Sequence, residues 1–149
     1  MVGLGLGLST NARARDTWSH ETLGAVWAAP AFATDGKVYV GSEDGFLYAF
    51  DPGGRLRWVY KASDGFSGWP VWLRRGILAV ANRNGTVYFF DERGEVRAKT
   101  TLEGIASGRP TVRAGRVFLG TSAGKLAASR TAFSAHSALR PRILARPWI

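Results

Sequence analysis

The chain has no cysteine and only two histidines in 149 residues. The first absence excludes a disulfide scaffold and any Cys-ligated zinc or iron–sulfur centre, and it says nothing about compartment, since many exported proteins also lack Cys. The second leaves little for a His-based metal site or catalytic triad. His20 is flanked by Trp18 and Glu21, and His136 has no ligand-type partner at suitable spacing, so both are expected to be solvated or packed. No run approaches the ~20 apolar residues that a membrane-spanning helix needs. The opening Met1–Thr10, MVGLGLGLST, lacks a basic n-region, and its apolar stretch is half glycine, which does not fit a signal peptide. Its G-x-G-x-G spacing is not the dinucleotide fingerprint G-x-G-x-x-G, and no strand precedes it.

What is present is a composition that can bury a core: 46% hydrophobic residues against 21% charged. Twenty basic and eleven acidic residues give +9, which raises nucleic acid or an acidic membrane surface as partners. The location of the charge argues otherwise. Residues 1–26 are neutral, residues 27–124 carry +4 with both signs interspersed, and residues 125–149 carry +5 with no acid. The body is an ordinary solvated surface, and nucleic acid is not the expected partner.

The chain matches itself when slid by about 40 places. Residues 30–60, PAFATDGKVYVGSEDGFLYAFDPGGRLRWVY, align with residues 70–100, PVWLRRGILAVANRNGTVYFFDERGEVRAKT, with nine coincidences that include Gly45/Gly85, Tyr48/Tyr88, Asp51/Asp91, Gly54/Gly94 and Arg57/Arg97. A third copy starts at Pro110, lacks one residue before Gly115, and stays in step through Val117, Gly120 and Gly124 to Leu126. Trp18 lies 40 residues before Trp58, so residues near 12–20 read as the last strand of an earlier, incomplete copy.

Each copy divides into four β-favouring runs, in the first copy near 29–33, 37–42, 46–51 and 55–61, separated by Asp-Gly, Asn-Gly or Asp-Pro-Gly-Gly. Those pairs suit two-residue hairpin turns with both central residues at positive φ. The recurring glycines at 45, 85 and 124 are a matter of backbone geometry. Val38 and Val40 should face one way and Tyr39 the other, each face buried against a neighbouring sheet. Val, Phe, Tyr and Trp broken by frequent Gly disfavour a helical repeat. The reading is all-β: about three four-stranded antiparallel blades of a partial β-propeller. Its divisions are an N-terminal segment 1–26, blades at 27–66 and 67–106, a partial blade at 107–126, and a basic tail at 127–149 expected to be irregular.

Residues 38–61, VYVGSEDGFLYAFDPGGRLRWVYK, resemble the blade repeat of the pyrroloquinoline-quinone-type (PQQ-like) β-propellers through Gly41, Ser42, Asp44, Gly45, Leu47, Tyr48, Ala49, Asp51, Gly54 and Trp58. Copy two keeps Gly85, Tyr88, Asp91 and Gly94 but has Ala98 in place of the Trp. The resemblance implies that the Trp docks between blades and that the Asp and Gly shape the turn, so Gly45, Asp51, Trp58, Gly85, Asp91 and Gly124 are structural positions. It does not imply the cofactor. Quinoprotein dehydrogenases of this type use a catalytic Asp and a calcium held by carboxylate and amide groups, often with a vicinal disulfide, on insertions that this chain lacks. No catalytic residue, metal or PQQ is therefore expected. Other relatives are outer-membrane assembly lipoproteins and extracellular sensor domains of bacterial kinases, often periplasmic or in the envelope.

Closed propellers take about four to eight blades, so three leave sheet faces exposed, and the chain reads as a fragment, a subunit that closes by association, or an open stack. From Ala127 the composition turns to Arg, Ala, Ser and Pro without acid. That change is expected to mark loss of the reading frame near Leu126, with an authentic basic tail as the rival. The expected function is non-enzymatic binding or scaffolding, with a quinoprotein fragment or a truncated kinase sensor domain as alternatives. Partners would be a protein, the remaining blades, or a second copy through the exposed faces. The loops before each first strand are the natural contact surface, and Phe66, Trp69 and Arg109 are the candidate contacts, with capping of the blade interior as the other role for the two aromatics.

Overall fold

A computed structural model describes residues 17–73 and 76–130. The Gly-rich start, His136 and the tail beyond residue 130 lie outside the described residues. Among the described residues, eleven strands form three antiparallel sheets in chain order. The first holds β1 (Ala31–Phe32), β2 (Val38–Gly41), β3 (Phe46–Phe50) and β4 (Leu56–Lys61). The second repeats it with β5 (Val71–Leu73), β6 (Ile77–Ala81), β7 (Thr86–Phe90) and β8 (Val96–Thr101). The third contains β9 (Ala106–Arg113), β10 (Arg116–Thr121) and β11 (Leu126–Arg130). Successive first strands β1, β5 and β9 are neighbours, which is how blades sit around a common axis. The fold is the expected all-β partial propeller, with sheets that do not close.

Register repeats as closely as sequence does. Tyr48 opposes Val59 in the first sheet and Tyr88 opposes Lys99 in the second, and both ladders slip at the same place, leaving Arg57 and Arg97 as the extra residues of matching bulges. Period-2 alternation sorts the side chains into two inter-sheet cores. Tyr39, Leu47 and Ala49 meet Leu78, Val80, Tyr88 and Phe90 between sheets one and two. Ala79, Val87 and Phe89 meet Val117, Leu119 and Ala127 between sheets two and three. Both faces of the middle sheet are thus removed from water, which is why β6 and β7 carry no charge.

The turns differ from expectation in one respect. The Asp-Gly and Asn-Gly loops are not two-residue turns. Ser42 N bonds Phe46 O at 3.0 Å and Gly45 N bonds Ser42 O at 3.2 Å, and the same two bonds recur at Asp51/Gly54, Asn82/Gly85, Asp91/Gly94 and Thr121/Gly124. In each, the glycine takes positive φ, between 71° and 86°, and the residue before it does not. This is a three-residue loop whose glycine forms a bulge, the next most common hairpin connection. The exception is the turn that lacks a residue: Ala114 (φ 49°) and Gly115 (φ 70°) are both left-handed, and Arg113 pairs directly with Arg116. Deleting one residue from the loop forces the two-residue turn and with it an alanine into a conformation that costs roughly 1–2 kcal/mol.

The composition change after Leu126 does not end the sheet. β11 runs to Arg130 and pairs Ala127, Ala128 and Ser129 with Leu119, Phe118 and Val117, so the start expected for an irregular tail falls inside a strand.

Candidate binding surface

Four-stranded sheets joined in this way place the connections between sheets and the β2–β3, β6–β7 and β10–β11 turns at one end of the stack. At that end Ala62 N reaches Gly45 O and Leu102 N reaches Gly85 O, both at 2.8 Å. Three further bonds repeat the pattern from sheet to sheet: Glu43 N to Ala25 O, Arg83 N to Gly65 O and Ser122 N to Ile105 O, at 2.8–2.9 Å. An ion pair between Arg83 and Glu43 (3.6 Å) ties the first two turns together.

Here Asp44 and Asp64 accept from backbone, while Glu43 and Glu103 pair with Arg83 and Lys125. Asp44 Oδ1 accepts from Phe46 N (2.8 Å), and its Oδ2 accepts from Tyr48 OH (2.7 Å) and Leu23 N (3.1 Å). Burial pushes the Asp44 pKa up, but these donors together with Ser42 outweigh it and hold the group below its ordinary value. Burial, then the bond to Asp44, pushes the Tyr48 hydroxyl up to about 12. At the opposite end Asp51 accepts from Arg55 N (2.9 Å), and Asp91 accepts from Arg93 N (2.9 Å) and Glu95 N (3.0 Å). Among the described residues no three His, Cys, Asp or Glu side chains converge.

The three candidate contacts separate. Phe66 is 1% exposed: its ring packs edge-on to Tyr88 (5.9 Å), and its Cβ sits so close to Gly41 that a side chain there would meet it at 2.7 Å. A ring in the core between the first two sheets has no surface to offer, and of its two expected roles Phe66 occupies the interior one. Trp69 is half-buried and Arg109 exposed. They sit 40 positions apart, each directly before the proline that leads into a first strand, Pro70 and Pro110. Because β5 and β9 are neighbours, Trp69 and Arg109 lie at corresponding repeat positions on adjacent blades. A register shift in β9 leaves Gly108, Arg109 and Pro110 opposite the single residue Leu119. The surface sequence reasoning missed is the connection ahead of sheet one, where Leu23, Val26 and Trp27 are exposed, Trp27 by 73%. The 40-place offset, applied backwards from Ser63, Phe66 and Ser67, was the signal that could have found it.

Trp58 takes the docking role. It stacks on Phe90 of the next sheet (6.0 Å), lies 5.7 Å from Tyr39, and donates from Nε1 to Glu92 O at 3.1 Å. Gly94 makes room for it, since a Cβ there would lie 2.6 Å from the ring. Trp18 does the same to Gly54 and Phe50 of sheet one.

No described helix is long and apolar enough to cross a membrane. A family profile described as outer membrane protein assembly factor BamB matches residues 65–140, beyond the point where the composition changes. No curated protein matches the chain by sequence. Among solved structures, BamB from Moraxella catarrhalis superposes with TM-score 0.67 at 18% identity over 76% of this chain and 37% of that one. The computationally designed Ika4 protein gives 0.68 at 16% identity over 84% and 73%, and the designed Ika8 protein 0.64 at 16% over 79% and 35%. The chain thus spans little more than a third of the length of the BamB it resembles. With the profile covering half of the chain and the sheets arranged as blades, the protein belongs to the PQQ-like β-propeller family of the outer membrane protein assembly factor BamB.

Proposed function

We propose that the protein is a non-catalytic propeller segment that binds a protein partner through the end of the stack carrying the inter-sheet connections. The observation that carries this reading is the placement of Trp69 and Arg109 at equivalent positions on adjacent blades. Trp and Arg are among the side chains most enriched at the energetic centres of protein interfaces. Ile105 and Trp27, on the connections ahead of sheets three and one, are also exposed. The aspartates of the described turns, Asp44, Asp51 and Asp91, are engaged with turn backbone, which supports a structural use for them. The name of the family points to a partner in assembly of the outer membrane, and on this reading neither PQQ nor calcium is needed.

The test is site-specific photo-crosslinking in the native host, with the crosslinker at 69 or 109 and, as controls, at 57 or 97 on the bulged outer strands. A crosslinked protein partner at 69 and 109 and none at the controls is expected. Crosslinks confined to the controls would overturn the assignment of the surface. Quinone-dependent dye reduction by the purified protein with PQQ and calcium would overturn the non-catalytic reading and favour the dehydrogenase fragment.

A further inference from the structure

The chain carries three side-chain amides, Asn11, Asn82 and Asn84, and no glutamine, and only Asn84 is followed by glycine. Asparagine before glycine is the pairing at which a side-chain amide is most readily lost, because the following backbone nitrogen has no Cβ beside it to hinder attack on Cγ. Asn84 sits exposed on the β6–β7 turn, whereas Asn82 is fully buried. Its repeat counterpart on the β2–β3 turn is an aspartate, Asp44, and the two make the same bond. Asp44 Oδ1 accepts from Phe46 N at 2.8 Å, and Asn84 Oδ1 accepts from Thr86 N at 3.1 Å. A carboxylate at 84 therefore fits this loop. The loop also restrains both groups that would react. Asn84 Oδ1 accepts a second bond from Thr86 Oγ1 (2.7 Å), and Nδ2 donates to Ser63 Oγ on the connection ahead of sheet two (3.0 Å). Gly85 N donates to Asn82 O (3.2 Å), and Gly85 O accepts from Leu102 N (2.8 Å). Gly85 is buried at φ 82°, with the Leu102 and Gly104 carbonyl oxygens 2.6 and 2.7 Å from where a Cβ would stand. Attack on Cγ requires Gly85 N to leave Asn82 O and the amide to turn away from Thr86 and Ser63.

We propose that Asn84 is a modification site, an asparagine that deamidates when the loop at residues 82–86 opens and is protected while the loop is closed. Local opening of an exposed turn costs less than global unfolding, so the reaction proceeds in a chain that is otherwise folded. In the open loop Gly85 N gives up its proton to solvent base and attacks Asn84 Cγ. A bond forms between that nitrogen and Cγ, the Cγ–Nδ2 bond breaks, and the amide nitrogen takes up a proton and leaves as ammonia. Water then adds to one of the two carbonyls of the cyclic imide, and the ring opens. Addition at Cγ restores the backbone with an aspartate at 84. Addition at the backbone carbonyl carries the main chain through the side chain and gives isoaspartate. The aspartate repeats Asp44 and keeps the loop. Isoaspartate lengthens the main chain inside a loop that Asn82 N closes on Thr86 O at 2.9 Å, and that closure is lost. Either product places a new carboxylate one residue from Arg83, whose guanidinium pairs with Glu43.

The experiment follows ammonia release and peptide mass in isotopically heavy water at mildly basic pH, comparing the folded full chain with the same chain in urea. Amide loss at Asn84, at least about tenfold faster in urea than in the folded chain, is expected. Equal rates in the two states overturn the gate, and an Asn84 amide that survives in urea overturns the site. Ser63→Ala and Thr86→Val each free one end of the amide. Both should speed the folded-state reaction several-fold and leave the rate in urea unchanged; folded-state rates equal to wild type in both variants overturn the role given to these bonds. Asn84→Asp reproduces the product and should keep the β signal in circular dichroism together with the wild-type urea midpoint. Loss of that signal overturns the fit of a carboxylate in the loop. These readouts are independent of the crosslinks at 69 and 109.

Discussion

The two junctions between sheets are built from the same repeat by different means. Between sheets one and two, Trp58 crosses to the next blade, stacks on Phe90, bonds Glu92 and fills the space above Gly94. Between sheets two and three, the equivalent residue is Ala98, and contact rests on small and branched side chains such as Ala79, Val87, Val117 and Leu119. The first junction therefore has a Trp anchor in addition to its core, and the second lacks it. The repeat tolerates the loss because the alternating strand faces supply most of the buried apolar area, and the Trp adds specificity of docking.

That contrast can be broken most directly at Trp58. Trp58→Ala should cost about 3 kcal/mol, read as a lower urea midpoint. Smaller is the pair Gly94→Ala and Gly124→Ala. Both put an L residue at positive φ (86° and 71°), but only at Gly94 does the new Cβ meet the Trp58 ring. The loss at Gly94 should be about 2 kcal/mol and at Gly124 about 1, and in a Trp58→Ala background the two should become alike. Equal costs in the wild-type background would remove the Trp from the explanation.

In the opposite direction, Ala114→Gly relieves the left-handed alanine of the third sheet and should stabilise by roughly 0.5–1 kcal/mol, whereas any residue other than Gly at 115 should not. The smallest effect compares turns by pH. Asp44 titrates and its counterpart Asn84 does not. Because the folded state holds Asp44 below its ordinary value, its contribution is complete above the unfolded pKa and is lost as pH falls through the folded one. Stability should therefore decline below about pH 4, and Asp44→Asn should flatten that decline. Urea midpoints measured from pH 6 to pH 2 would show it, and an unchanged slope would mean that Asp44 does not carry the dependence.

The strand positions were legible because period-2 alternation and glycine punctuation are local: the runs expected near 37–42, 46–51 and 55–61 enclose the strands at Val38–Gly41, Phe46–Phe50 and Leu56–Lys61. The turn type was not legible, because Asp-Gly serves both a two-residue turn and a three-residue loop, and the choice belongs to the ladder that closes it. At the candidate surface, aromatic character picked out Phe66 and Trp69 together. Neighbouring loops in sequence look alike, and only the approach of Gly41 to Phe66 distinguishes a core ring from a surface one.

By itself the sequence determined the 40-residue period, the all-β blades and the structural use of Asp51, Asp91 and Trp58, since each is written in spacing and in residue types with narrow backbone or packing preferences. Tertiary structure alone decided that Phe66 is interior, that Trp69 is half-buried, and that Arg109 sits in the bulge of β9. Those facts depend on how one sheet lies against the next, and packing between sheets brings together residues 40 positions apart that no local pattern joins.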